Sequence, residues 1–158
     1  MRIGFGYDVH PLVPGGKLIL GGVEIPFEKG LQGHSDADVL LHAVCDALLG
    51  AMADGDIGKH FPNTDPRFRG ISSLELLRQV DNRMKERGLT IGNVDVTVVA
   101  ERPMIGPYIP QMVERIAVCL SIQNSRINVK ATTSEGLGFV GEGKGIQAYA
   151  VVLLIEKP

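Results

Sequence analysis

"RIGFGYDVH", Arg2 to His10, is the stretch whose reading decides the fold. With a period of two, Ile3, Phe5, Tyr7 and Val9 share one face, and Gly4, Gly6, Asp8 and His10 share the other. This reads as a buried strand with one apolar face. Its opposite face is reduced to glycines, a carboxylate and an imidazole. Why a strand carries those last two groups on one side is the question the rest of the chain has to answer.

Outward from that strand, "KLILGGVEI" reads as two short strands turning at Gly21-Gly22. "HSDADVLLHAVCDALLGAM" has helical period, with Ser35 as N-cap, Asp38 at the capping-box position, and Val39, Leu40, Val44, Ala47, Leu48 and Met52 as its inner stripe. Residues 53–70 form a Gly/Pro/Asp-rich loop of a length that is uncommon unless functional. A second helix starts at Ser72, where Ser72 and Glu75 form a capping box, and stops at Gly88. "IGNVDVTVVA" alternates as a strand, and a third helix from about Pro110 keeps Ile109, Val113, Ile116, Ala117 and Leu120 in phase. Two strands, "RINVKATT" and "IQAYAVVLLIE", close the chain around a glycine-rich bend at 134–145. The order predicts one α+β domain over residues 1–158, with a mixed four-stranded sheet, helices on one face and a short β-hairpin.

Composition narrows the function classes. The chain has 158 residues, 44% of them hydrophobic and 22% charged, and a net charge of −2, so it has no basic surface for nucleic acid. No apolar run approaches the roughly 18–20 residues that span a bilayer, and the N-terminus lacks a signal pattern. A soluble, cytoplasmic protein is expected. Cys45 and Cys119 lie in apolar helical segments without metal or disulfide spacing, and read as small buried hydrophobes in a reducing compartment.

Asp8 and His10 need a third ligand to hold a metal, and His42 is the best candidate. Asp38 and Asp46 stand four residues either side of it, placed to orient its ring. Asp/His/His with an open position is a catalytic zinc pattern. It is also the triad of non-haem iron oxygenases, but three good helices argue against the barrel which that reading expects. Gly136, Gly138 and Gly141 match G-x-G-x-x-G but run into a strand rather than a helix, so they read as bends and not as a dinucleotide site. In "KATTSEG", Thr132 and Thr133 set hydroxyls beside Glu135, a carboxylate able to hold Mg²⁺. His34 and Ser35 precede a helix, where an anion is favoured. Asp54, Asp56 and Asp65 could ring a sugar from the loop. From residues alone, the chain reads as a metal-dependent phosphoesterase acting on a nucleotide diphosphate, or as a non-enzymatic metal- or ligand-binding protein.

Along nearly its whole length, the chain closely resembles the 2-C-methyl-D-erythritol 2,4-cyclodiphosphate synthase family of the non-mevalonate isoprenoid pathway. "GYDVHPL", "GGVEIP", "GHSDADVLLHA", "DALLGAMADGDIGKHFPNTDP", "GNVDVTVVAERP" and "VKATTSEGLGFVGEGKGI" carry the likeness in that order. It implies a lyase that closes 4-diphosphocytidyl-2-C-methyl-D-erythritol 2-phosphate with loss of CMP, working as a homotrimer with sites between subunits. Asp8, His10 and His42 would hold Zn²⁺ or a similar ion, and Glu135 a second ion, Mg²⁺ or Mn²⁺. His34 and Thr133 would stabilise the transition state. Ser35, Asp56, Ile57, Gly58, Phe61, Pro62, Asn63, Thr64, Asp65, Thr132 and Phe139 would contact the substrate. Ala100, Pro103, Met104, Ile105, Gly106 and Ala131, from the neighbouring subunit, would take the cytidine. The likeness implies a bacterial cytoplasmic enzyme or a processed plastid form. Two positions depart from the pattern: Met104 stands where the family often has a lysine, and Glu142 where relatives carry an arginine toward the trimer axis.

Overall fold

Residues 1–156 are described by a computed structural model; the last two residues of the expected 1–158 domain lie outside it. The opening strand, β1 (Arg2–Pro14), pairs antiparallel with the last, β7 (Gly145–Glu156), from Arg2↔Leu154 to Pro11↔Gly145. Its two glycines set the packing. A Cβ on Gly4 would lie 1.8 Å from the Ala47 carbonyl oxygen, and one on Gly6 would lie 1.9 Å from that of Ala43. The helix α1 (Val39–Ala51) therefore rests on the β1 backbone itself, at a distance no side chain allows.

The apolar face of β1 departs from the expectation of a buried strand. Ile3 is 73% exposed and Phe5 62%, and Tyr7, Val9 and Val151 are also exposed. Phe5 and Tyr7 stack on Tyr149 of β7, with ring centroids 6.4 and 5.1 Å apart. Alternation identifies two faces without saying which one the helices take. Here they take the glycine face, and the apolar face is uncovered within one chain.

The sheet has five strands rather than four, in the order β4-β1-β7-β5-β6. The short β4 (Lys29–Leu31) joins the end of β1 through Leu12↔Leu31, a pairing that three residues are too short to announce. β5 (Leu89–Val99) runs parallel to β6 (Ile127–Thr132) and antiparallel to β7, so the sheet is mixed as expected. β2 (Leu18–Leu20) and β3 (Val23–Ile25) form the separate hairpin.

All of α1 is buried except Asp46 and Gly50. Its N-cap is Asp38, not Ser35. The fully buried Asp38 carboxylate accepts N–H groups from Leu41 (3.1 Å), Gly21 (3.0 Å) and Gly22 (2.7 Å), fastening the hairpin turn to the helix. Burial pushes its pKa up to about 6 against the pull of those bonds.

The helix α3 (Ser73–Glu86) starts after Ser72 as expected, but Ser72 makes no side-chain cap. The carboxylate of Asp36 accepts the Ser73 N–H instead, at 2.9 Å. The third helix, α4 (Ile109–Leu120), buries Met112, Ile116, Ala117 and Leu120.

Two expected loops contain structure. Residues 53–70 hold the one-turn helix α2 (Ile57–His60) and a 3₁₀ turn at Pro66–Phe68. The glycines of "GLGFVG" open another single turn, α5 (Gly138–Gly141). The chain then enters β7, which is antiparallel to both its neighbours. No parallel βαβ unit follows these glycines, so the dinucleotide reading fails on topology. Cys45 is buried and Cys119 half-buried, both as free thiols.

Candidate metal centre and adjoining cavities

The close contact of α1 with β1 builds the centre. Ala43, whose carbonyl sits against Gly6, follows His42 directly, so the glycine step that admits the helix also carries His42 to Asp8, two residues further along β1. His42 Nδ1 lies 2.9 Å from Asp8 Oδ2, His10 Nε2 lies 3.0 Å from the same oxygen, and the two ring nitrogens are 3.0 Å apart. Among the described residues, Asp8, His10 and His42 form the one cluster able to hold a metal ion.

Hydrogen bonds at the far side of each ring fix the tautomers. His10 Nδ1 faces the Gln32 carbonyl at 2.8 Å, so it carries the proton. His42 Nε2 faces the hydroxyls of Ser35 and Ser73, each at 3.0 Å. The Ser73 hydroxyl donates to Asp36, so it must accept from His42 Nε2–H. The neutral rings then aim two lone pairs at each other and at a carboxylate. Such a donor set is relieved by a cation, and the residues fit a divalent ion with N/O preference. Without one, protons substitute. Burial opposes the His10 imidazolium, but bonding to Asp8 outweighs it and raises the pKa. Burial would also raise Asp8, yet its bonds to His10 and His42 hold it down to about 2.

The expected orienting groups are elsewhere. Asp38 serves the hairpin, as described above, and Asp46 accepts the Ile57 N–H at 2.7 Å, tying α2 to α1. Helical spacing of four placed both beside His42 in sequence, but each turns to a nearer backbone donor. Ser35 and Ser73 take the role instead. Ser73 is 31 residues away, and no local pattern marks it.

A cavity of about 450 Å³ opens on the triad. His34, Ser35, Ile57, Gly58, Phe61, Pro62 and Asn63, all named above as site residues, line it together with Gly33, Phe68 and Leu76. Gly33 is small for a reason: a Cβ there would come within 2.8 Å of His10 Cε1. His34 Nε2 donates to the Asp65 carbonyl at 3.1 Å, and the Gly70 N–H donates to the His34 carbonyl at 2.8 Å, which draws the 53–70 segment over this cavity.

The loop acids do not ring the cavity as expected. Asp54 pairs with Arg83 (3.1 Å) and Arg87 (2.9 Å), Asp56 caps α2, and Asp65 is chelated by Arg67. Asp56, Thr64, Asp65 and Phe139 are outside the cavity wall, with Phe139 beside Gly145 instead.

A second cavity, about 660 Å³, is walled by Ala100, Pro103, Met104, Ile105, Gly106, Ala131, Thr132 and Thr133, joined by Phe27, Glu101 and Arg102. Thr133 donates to the exposed Glu135 at 3.1 Å. The register separates the two cavities: Asp8 pairs with Ala148, Ala148 with Val98, and Val98 with Ala131. Three strand spacings put Asp8 about 14 Å from Ala131. One chain therefore holds His34 with the triad, and Thr133 and Glu135 apart from it. Glu142 is ion-paired at the surface with Lys144.

The family model for the YgbB family matches residues 1–155. The 2-C-methyl-D-erythritol 2,4-cyclodiphosphate synthase of Geotalea daltonii is 64% identical over 98% of this chain and 90% of its own length. Among solved structures, the bifunctional IspDF of Campylobacter jejuni aligns with a TM-score of 0.95 at 41% identity, over 98% of this chain and 42% of that longer one. The Plasmodium falciparum IspF complex with CDP aligns with a TM-score of 0.88 at 37% identity, over 99% and 97%.

Proposed function

The chain belongs to the YgbB family, and we infer from this premise that it is a 2-C-methyl-D-erythritol 2,4-cyclodiphosphate synthase. It is a lyase of the non-mevalonate isoprenoid pathway. Its substrate is 4-diphosphocytidyl-2-C-methyl-D-erythritol 2-phosphate, whose own 2-phosphate attacks the β-phosphate and expels CMP. The observation that carries the reading is the convergence of Asp8, His10 and His42 on one point, with both ring tautomers set for lone-pair donation.

The chemistry asks little covalent work of the protein. The nucleophile is already an anion and CMP leaves as a stable phosphate, so positioning and charge neutralisation suffice. Asp8, His10 and His42 would hold a zinc-type ion and Glu135 an Mg²⁺ or Mn²⁺ ion, which would supply Lewis-acid neutralisation of the phosphate oxygens when bound. His34 and Thr133 add hydrogen bonds to the charge that develops in transfer. Ser35, Ile57, Gly58, Phe61, Pro62 and Asn63, which line the triad cavity, hold the methylerythritol end, and Thr132 reaches it from the cavity of the neighbouring copy. The 53–70 segment keeps out water, which would otherwise hydrolyse the diphosphate.

The enzyme is a single-domain subunit acting as a homotrimer. Support comes from the uncovered apolar face of β1 and β7 and from the split site. Packing three such faces together buries Phe5, Tyr7 and Tyr149. It also lets the Ala100–Gly106 cavity of one copy, with Ala131–Thr133, meet the triad cavity of the next. Cytidine lies in the Ala100–Gly106 cavity, where Arg102 supplies the positive charge that Met104 lacks. The bacterial source of its relatives supports a bacterial cytoplasmic enzyme.

One assay tests the reading. Purified protein with the cytidyl substrate and Mg²⁺ should give CMP and a cyclic diphosphate. Linear phosphate products would make it a hydrolase, and absence of turnover would make it a binding protein.

A further inference from the structure

We propose that Asp36 and Ser73 form a positioning relay that sets the metal affinity of the centre through His42, leaving Ser35 free to serve the substrate. This deepens the metal reading above and rests on it.

Two serine hydroxyls lie 3.0 Å from His42 Nε2, but their surroundings differ. Ser73 is fully buried, does not line the cavity, and is the first residue of α3. Its hydroxyl donates to Asp36 Oδ1, and its N–H donates to Asp36 Oδ2 at 2.9 Å. Asp36 is pinned in turn: its carboxylate accepts the Asp38 N–H at 3.2 Å, and its own N–H donates to the Ile71 carbonyl at 3.0 Å. Every atom that could let Ser73 rotate away is committed. Ser35, in contrast, faces the cavity and accepts only the Ala37 N–H, at 3.2 Å, besides its contact with His42. Among the described residues its hydroxyl proton has no acceptor.

The two serines therefore divide the work. Ser73 holds the ring in one rotamer and one tautomer at all times. The carboxylate behind it draws the Nε2 proton outward, which makes Nδ1 a better electron-pair donor. Ser35 can turn into the cavity without loosening the ligand. The arrangement also explains why Ser72 makes no cap. The carboxylate that caps α3 comes from the loop before α1, so the helix start and the metal ligand are held by one group.

The test is Zn²⁺ affinity of the metal-stripped protein, measured by competition with a chromophoric chelator, together with the ligand-field spectrum of the Co²⁺-substituted protein. Ser73→Ala should raise the Zn²⁺ Kd by about 10–100-fold and broaden the Co²⁺ spectrum. Asp36→Asn, which keeps an acceptor but not the charge, should raise it by less. Ser35→Ala should raise it less than Ser73→Ala. If Ser73→Ala binds Zn²⁺ as tightly as the parent while its melting temperature falls, Ser73 is only part of a helix cap and the proposal is overturned. A larger loss in Ser35→Ala than in Ser73→Ala overturns it as well. Should Ser73→Ala fail to fold, Asp36→Asn decides the matter, and an unchanged Kd refutes the relay. Failure of the parent to bind Zn²⁺ would instead remove the metal reading itself.

Discussion

Gly6→Ala should cost this protein both stability and the geometry of its candidate metal centre, because one methyl group must displace a helix. The added Cβ would stand 1.9 Å from the Ala43 carbonyl oxygen and 2.7 Å from the Ala47 backbone nitrogen. A relaxed carbon–oxygen contact needs about 3.3 Å or more, so α1 must retreat from β1 by roughly 1.4 Å. Neither side can give by a side-chain rotation, since both are backbone. Overpacking of this kind costs typically 1–3 kcal/mol, and the rigid contact argues for the upper end, about 3 kcal/mol. For a chain of this size that lowers the melting temperature by roughly 6–12 °C. The same retreat pulls His42 from Asp8, whose donor atoms now lie 2.9 Å apart. A misplacement of about 1 Å at a reacting centre can cost about 100-fold in rate.

The control is on α1, the helix that Gly6 faces. A Cβ on Gly50 would meet only Phe5 O, at 3.8 Å, so Gly50→Ala should instead stabilise, by about 0.5–1 kcal/mol. Thermal melts and zinc content by elemental analysis read both variants. If Gly6→Ala melts within about 2 °C of the parent and takes up as much zinc as the parent when loaded with it, the claim that backbone contact builds this site is wrong.

Other expectations are more local. In the metal-stripped protein, Asp8 has a pKa of about 2 against an ordinary 3.8, so its ionised form stabilises the fold above about pH 4 and that contribution fades as pH falls toward 2. It amounts to about 2 kcal/mol. Urea midpoints across this range should lose most of their acid slope in Asp8→Asn, and an unaltered slope would place the effect on other groups. If the proposed trimer packs through this face, Phe5→Glu should sediment as subunits of 17.0 kDa where the parent sediments as trimers, and a variant that sediments like a trimeric parent would mean the apolar face is not the interface. Asp54→Ala frees Arg83 and Arg87 and releases the start of the 53–70 segment, so trypsin should cut at Lys59, Arg67 or Arg69 sooner than in the parent. An unchanged digestion pattern would show that the segment is held from its other end alone.

Much of the site could be read locally because its ligands sit on regular elements. Asp8 and His10 share a face by the period of two, and His42 stands at the start of a strongly apolar helix, so their meeting followed once helix and strand packed together. The residues that support them were not legible. Asp38 and Asp46 have the right helical spacing to orient His42, yet each satisfies a backbone N–H that only the folded chain brings near. Ser73 and Asp36 are 37 positions apart and carry no shared motif. The three-residue strand β4 fell below what alternation can signal.

Sequence by itself determined the α+β order, the triad, and the family through long ordered motifs, because these rest on short-range periods and on residue types that few other folds require. It also marked the two faces of β1 without ranking them. Only the tertiary structure decided that the helices cover the glycine face. Gly4 and Gly6 let α1 approach to backbone contact, a closeness the bulkier face could not match. That choice sends Ile3, Phe5, Tyr7 and Val9 outward, and it turns Asp8 and His10 inward to meet His42.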